Sequence, residues 1–169
     1  MRNGFEKEKE GTMRTRTTLA SLAVFFAGIA LCLAADSQMG TWKLNEGMSK
    51  IAPGMPKNVT VVYAPMGDKV KVTVDGVDKD GNPTHNEWIG KFDGKFYAVT
   101  GDPMSDMRSY TVLSDSKMSI VVKKSGKMTL TGEVVLAPGG KSRTLTINAA
   151  HPDPTSGKRV ASIAVYDKQ

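Results

Sequence analysis

The chain has 169 residues, of which 40% are hydrophobic, and a formal net charge of +6. Its only cysteine, Cys32, lies in a segment that we expect to be removed, which excludes disulfides and thiol chemistry from the remainder. The lysines alternate with apolar residues instead of clustering with aromatic ones, so the composition does not indicate a nucleic-acid-binding protein.

The first 35 residues follow the order of a secretory signal peptide. Residues 13–16 are basic, residues 19–33 are apolar, and two alanines at 34–35 provide a small-residue cleavage site. The apolar run is shorter than the roughly 20 residues of a membrane-spanning helix. We therefore predict cleavage and export to the periplasm or outside the cell, without a stable membrane span. Three glutamates precede the basic residues, so we place the true start at Met13.

Residues 36–169 form a single predicted domain. Removing the signal leaves 18 basic and 14 acidic residues, a net charge of +4. A chain of this length buries roughly two-thirds of its unfolded surface, enough for one closed core.

The first predicted strand of this domain is the stretch "GTWKL" at 40–44, which contains Trp42. Burial of so large a side chain contributes several kcal/mol (about 25 cal/mol for each Å² of apolar surface), so we expect Trp42 to be a buried structural residue. The following segment, 45–57, is the one place for a helix. Pro53 and Pro56 limit that helix to about one turn.

From residue 57 onward, short alternating segments follow one another at intervals of about ten residues. In "KVKVTVDG" three valines share one face and polar residues the other, the period of a half-buried strand. The same pattern in later segments places Met118 and Met128 on inward faces. Glycine and aspartate dominate the turns, as tight hairpins require.

Short connections predict an antiparallel up-and-down meander of 8–10 strands. Such a meander leaves two exposed edges unless it closes. The predicted fold class is therefore all-β, a closed barrel.

The opening Gly40-Thr41-Trp42 resembles the Gly-x-Trp signature of lipocalins, and "GTWKL" is similar to the start of fatty-acid-binding proteins. Both families belong to the calycin superfamily. The resemblance implies a barrel of eight or ten strands around a ligand cavity, with Trp42 as a plug across the closed end. It also implies that a late arginine, either Arg143 or Arg159, packs on that tryptophan. As a whole, the stretch from Gly40 to Tyr166 resembles the small exported lipocalin-like proteins of bacteria.

The resemblance to fatty-acid-binding proteins does not extend to the residues that bind their ligand. Fatty-acid-binding proteins end in Arg-x-Tyr, whose two side chains hold the ligand carboxylate, whereas here the tail is Ala164-Val165-Tyr166. The two-helix lid of that family is also missing. We therefore do not expect a fatty-acid carrier that uses this pair.

Aromatic and polar residues on shared strand faces are the ligand-binding candidates. Trp88 shares a face with Phe92, and Arg108 shares a strand face with Tyr110. Tyr166 is a further candidate, because it is the residue of the Arg-x-Tyr motif that is still present. An arginine beside a tyrosine can orient a polar head group in an apolar cavity. The competing interpretation is that these side chains simply fill the barrel.

A metal site is a further alternative. Thioethers and imidazole can hold Cu(I), which makes His85, Met104 and Met107 the candidate ligands. Methionine is more often a packing residue, and His85 lies on the opposite strand face from Trp88. Our primary prediction contains no metal and no cofactor.

Catalysis has little support. The sequence has two histidines and no nucleophile elbow, so we do not expect an enzyme.

The sequence thus favours an exported protein that binds a small apolar or amphipathic molecule. The alternative is a filled barrel that acts through its surface as an envelope interaction or inhibitor-type protein. The sequence names neither the ligand nor a protein partner.

Overall fold

The computed structural model describes residues 36–152, 157 and 159–169. The predicted signal peptide lies outside these residues. In this part of the chain, residues 36–38 are helical, and a 3-10 helix, Glu46–Met48, accompanies ten strands: β1 Gly40–Leu44, β2 Lys57–Met66, β3 Lys69–Val77, β4 Pro83–Gly90, β5 Tyr97–Thr100, β6 Met107–Ser114, β7 Lys117–Lys124, β8 Lys127–Leu136, β9 Ser142–Ala149 and β10 Ala161–Lys168.

The strands form a closed antiparallel barrel. Each strand pairs with its sequence neighbours, and β1 pairs with β10 to complete the circle. Trp42 lies opposite Val61 on one side and Lys168 on the other. The predicted fold class is confirmed.

Alternation of apolar and polar residues explains the strands. In β3, Val72 and Val74 are buried, while Lys71 points outward and forms an ion pair with Glu87 on β4. Such alternation matches the pleat, in which successive side chains lie on opposite faces.

The turn between β3 and β4 is built by Asp78. Its carboxylate accepts hydrogen bonds from the backbone N–H groups of Asp80, at 2.8 Å, and Asn82, at 2.9 Å. Gly81 adopts a φ of 86°, a conformation that favours glycine. The hairpin is therefore fixed by local side-chain to backbone hydrogen bonds.

The helical segment is as short as its prolines predict. Asn45 caps the 3-10 turn by accepting a hydrogen bond from the N–H of Met48 at 3.2 Å. Among the described residues, no helix has the length and apolar character needed to cross a membrane.

The prediction that Met128 faces the interior of the barrel was wrong. Met118 is buried, but 44% of Met128 is exposed. The register between β7 and β8 shifts after the pair Val122–Leu130, so that Met128 lies opposite the outward Lys123. A bulge of this kind turns the following side chain to the other face.

The two ends of the barrel differ, and we name them here. The closed end is the one at which β1 begins and β10 ends; it is filled by large buried side chains, including Trp42, Trp88, Met118 and Leu136. The open end is the opposite one, where the loops 50–56, 78–82 and 101–106 lie.

Candidate functional site

A cavity of about 340 Å³ lies inside the barrel. The loop residues that line it lie at 54–56, 78–80 and 101–104, all of them at the open end. This end is therefore the entrance, and the cavity extends from it toward the closed end.

The cavity walls combine apolar and polar side chains. Eight aliphatic residues from five strands form the apolar part of the wall: Val61, Val74, Ile120, Val122, Leu130, Val134, Leu145 and Ile147. The strands also contribute polar side chains to the lining, namely those of Asn58, Tyr63, Thr84, Asn86, Arg108, Tyr110, Arg143 and Tyr166. Small-molecule sites typically combine an apolar wall with a small number of polar groups.

Arg108, on β6, is buried and has three hydrogen-bond partners. Its guanidinium donates to the hydroxyl of Tyr110 at 3.3 Å, to Oδ1 of Asn86 at 3.4 Å and to Oδ2 of Asp102 at 3.3 Å. Burial opposes its charge, but the neighbouring Tyr110 and Asp102 favour it, and the pKa of Arg108 is raised above its ordinary value. The positive charge of Arg108 is thus balanced by the carboxylate of Asp102.

Asp102 is held in place by its own loop. Its carboxylate accepts hydrogen bonds from the Ser105 hydroxyl and, at 2.8 Å, from the backbone N–H of Met104. The loop between β5 and β6 therefore positions the partner of Arg108 at the cavity entrance.

Arg143, on β9, lies deeper in the cavity and has no acidic partner among the described residues. Only 3% of it is exposed. Its guanidinium carbon lies 4.4 Å from the ring centroid of Trp42 and 4.6 Å from that of Tyr63. Its Nη1 donates to Oε1 of Gln38 at 3.4 Å, and its Nε has no hydrogen-bond partner within the described part of the chain.

The contact between Arg143 and Trp42 settles which arginine packs on the tryptophan. Trp42 is fully buried, and its indole N–H donates to the backbone oxygen of Gln38 at 2.8 Å. Arg159, the other candidate, is exposed. Gln38, which precedes the first strand, binds both Trp42 and Arg143.

Two tyrosines near Arg143 are held neutral by burial. Burial raises the pKa of Tyr166 to about 12, although Arg143 acts in the opposite direction. Burial also raises the pKa of Tyr63, against the same arginine. The Tyr166 hydroxyl donates to the backbone oxygen of Asn58 at 3.0 Å. Both phenols are therefore neutral hydrogen-bonding groups at physiological pH.

The ligand-binding candidates divide into two groups. Arg108, Tyr110 and Tyr166 line the cavity. Trp88 and Phe92 are not among its lining residues: they stack on each other at the closed end, with ring centroids 6.2 Å apart. The indole N–H of Trp88 donates to the backbone oxygen of Arg108 at 2.9 Å, which anchors the aromatic cluster to β6.

The three copper candidates do not lie together. His85 is on the outer face of β4, where its Nδ1 is 2.7 Å from the carboxylate of Asp75. Met104 lines the cavity entrance, and Met107 alternates with the inward Arg108 and so points away from the interior. In the described part of the chain, no group of three or more His, Cys, Asp or Glu residues could hold a metal ion.

The sequence alone did not identify every residue of the site, and Tyr63, which contacts Arg143, is one of those missed. Asn86 and Asp102 surround Arg108, Gln38 contacts Arg143, and Arg143 itself was expected only to pack on a tryptophan. Strand alternation would have placed Asn86 inward beside Trp88. No sequence signal identified Asp102 or Gln38, because both lie outside strands.

The fold and the cavity together define a ten-stranded antiparallel barrel with an internal site. No family model matches the sequence, and no curated protein matches it. Among solved structures, one described as "Structure of EF1p2_mFAP2b bound to DFHBI" is similar, with 11% identity and a TM-score of 0.44. The match covers 80% of this chain and 97% of the other. At that level of similarity it carries no argument about the site, which rests on its own geometry.

Proposed function

We propose that this protein binds a small amphipathic molecule inside its barrel and that it does so after export, as a binding protein rather than an enzyme. The observation that carries the proposal is the cavity of about 340 Å³, which opens at one end of a closed barrel. Pockets that hold small ligands measure roughly 300–1,000 Å³. Membership of the calycin superfamily is part of the proposal, supported by the packing of Arg143 on Trp42.

The composition of the wall supports an amphipathic ligand over a purely apolar one. Aliphatic side chains of β7, β8 and β9 offer a surface for an apolar body. Asn86, Arg108 and Tyr110 converge on one another and offer donors for a polar group. A cavity of this volume holds roughly ten water-sized groups at about 30 Å³ each, which favours a compact ligand.

The cavity also bears on the alternative of a filled barrel acting through its surface. In small barrels with packed interiors, side chains occupy the whole lumen. Here the closed end is filled and the open end is not.

Native mass spectrometry tests the proposal directly. The protein, purified from its own source without detergent, is measured before and after denaturing extraction. We expect an additional mass in the native spectrum and a matching small molecule in the extract. An apo mass, combined with no binding of a hydrophobic fluorescent probe, would contradict the proposal. A copper adduct would instead support the metal alternative.

A matched pair of variants locates the binding. Ile147 lines the cavity, whereas Ile163 on the adjacent strand is 41% exposed on the outer face. Ile147→Trp places a large ring in the cavity, so we expect probe binding to fall by tenfold or more. Ile163→Trp adds the same ring outside and should leave binding unchanged. Equal effects of the two variants would place the probe elsewhere.

A further inference from the structure

The buried part of the cavity carries an excess of positive charge. Two guanidinium groups, of Arg108 and Arg143, line it, and both residues are less than 10% exposed, at 8% and 3%. A single carboxylate, that of Asp102, lies within ion-pair distance of either, and it pairs with Arg108 at 3.3 Å. In the described residues the inner cavity therefore keeps one uncompensated cation, Arg143.

The acidic residues at the entrance do not supply the missing charge. Asp78 is engaged by the backbone and side chain of Asn82, and Asp80 pairs with Lys79 at 2.7 Å. Asp80 is exposed and Asp78 is half-buried, and both belong to the rim. The other residues that line the inner cavity are neutral.

The aromatic rings around Arg143 stabilise its charge without neutralising it. A guanidinium over a ring face is attracted by the ring quadrupole, but the ring carries no net charge. Tyr63 and Tyr166 are neutral, and burial raises the pKa of each further above physiological pH. A buried charge without an opposite charge is costly, and a guanidinium stays protonated, so this cost persists in the empty protein.

We propose that the ligand is an acid whose anionic group, a carboxylate or a similarly small monoanion, pairs with Arg143 inside the barrel. This inference rests on the proposed ligand-binding function. The compact cavity orients the molecule: the anionic group lies inward against Arg143, and the apolar body extends toward the entrance along Ile120, Leu130 and Ile147. The cation lies on β9, away from the Ala164-Val165-Tyr166 tail, and so differs from the Arg-x-Tyr arrangement.

Three probes of one chain length test the charge requirement without any mutation. Octanoate, 1-octanol and octylamine share an eight-carbon body and differ in the charge of the head group. We expect octanoate to bind to the wild-type protein roughly tenfold more tightly than 1-octanol, since hydrogen bonds between charged groups are stronger than those of a neutral hydroxyl. Octylamine should bind most weakly. Calorimetry measures all three affinities.

Variants then assign the preference to Arg143. Arg143→Gln removes the charge, and we expect the affinities for octanoate and 1-octanol to become equal through a loss for octanoate alone. Arg143→Lys retains the charge and should retain most of the preference. Arg159→Gln is the matched control, because it removes one exposed positive charge outside the cavity. Circular dichroism of each variant verifies folding.

The outcomes separate this inference from the proposed function. If neither octanoate nor 1-octanol binds, the ligand-binding function itself fails. If 1-octanol binds to the wild-type protein as tightly as octanoate, the barrel binds ligands but the acid preference is overturned. If Arg143→Gln folds and still prefers octanoate, the preference belongs to another cation and the assignment to Arg143 is wrong.

Discussion

The two ends of the barrel use the same strands for different purposes. At the closed end, Trp42 and Trp88 are fully buried, and each indole N–H donates to a backbone oxygen. At the open end, short loops are held by carboxylates such as Asp78 and Asp102, and the interior is hollow. The difference indicates that one end provides the stability of the barrel and the other provides access to its interior.

The sharpest test of this division is the removal of the indole of Trp42. Trp42→Ala deletes a fully buried ring that packs against Arg143. We expect the free energy of unfolding to fall by about 3–5 kcal/mol, measured by urea denaturation. Met104→Ala at the open end, where the side chain is 42% exposed, should change it by less than about 0.5 kcal/mol. Similar losses for both variants would contradict the division between the ends.

The loss of folding stability at alkaline pH should show that the Tyr166 side chain is buried in the barrel. Its pKa is raised from 10.0 to about 12, so the unfolded chain loses the phenolic proton first as the pH rises. Its contribution to stability is complete below pH 10, declines above it and is lost as the pH rises through 12. The decline amounts to about 2–3 kcal/mol at one pKa unit per 1.36 kcal/mol.

Urea denaturation at several pH values between those limits measures this slope, and phenolate absorbance reports the titration. Tyr166→Phe is the control, because it removes the titrating group and should flatten part of the slope. A wild-type titration at the ordinary pKa of tyrosine for every tyrosine would contradict the buried position of Tyr166.

Glycine substitutions compare how tightly the two ends are packed. A Cβ added to Gly90 at the closed end would lie 2.5 Å from ring atoms of Trp88 and of Tyr97. We expect Gly90→Ala to cost about 1–3 kcal/mol through overpacking. At the open end, a Cβ on Gly47 would meet only Oδ1 of Asn45, at 3.7 Å.

Gly47→Ala should therefore change the free energy of unfolding by less than about 0.5 kcal/mol. Thermal and urea denaturation of the two variants in parallel provide the comparison. A Gly90→Ala protein as stable as the wild type would show that the closed end can relax around an added methyl group.

The smallest expected effect concerns the outer face of the barrel near the open end. A hydrogen bond to Asp75 raises the pKa of His85 above its ordinary value of 6.5, so the pair favours the folded state at low pH. That contribution is complete below pH 6.5 and is lost as the pH rises through the folded-state pKa. Because both side chains are more than half exposed, at 58% and 55%, the effect on stability is small.

An NMR titration of the imidazole measures this shift. Asp75→Asn should lower the pKa of His85, whereas Asp80→Asn removes an exposed carboxylate elsewhere and should leave it unchanged. An unaltered titration in Asp75→Asn would refute the pairing.

Much of the fold could be predicted from the sequence because each strand carries its own alternation. The valines of β3 and the short glycine-rich turns identified a meander, and the exposed edges of a meander required closure. The side of Met128 could not be predicted, because the bulge opposite Val122 changes the register and leaves no mark on the alternation. Register is a property of two strands together.

The site was less predictable than the fold for the same reason. Arg108 and Tyr110 share a strand face, and that face could be recognised locally. Arg143 meets Trp42 only because β9 and β1 flank β10, where Tyr166 lies opposite both Arg143 and Leu44. Trp88 was considered a ligand contact because the sequence gives no indication of which end of the barrel a given inward residue occupies.

The pairing of β1 with β10 determines when this chain can fold. Asn45 and Asp167, joined by a side-chain hydrogen bond of 2.9 Å, are 122 positions apart, so the barrel cannot close on the ribosome until β10 has emerged. Until then β1 and β9 present unpaired edges, which are the surfaces on which β-sheet proteins aggregate. Contacts this distant in sequence also slow folding, because the loop entropy is lost before the pairing compensates for it. Before β10 pairs with β1, the chain is therefore in its most aggregation-prone state.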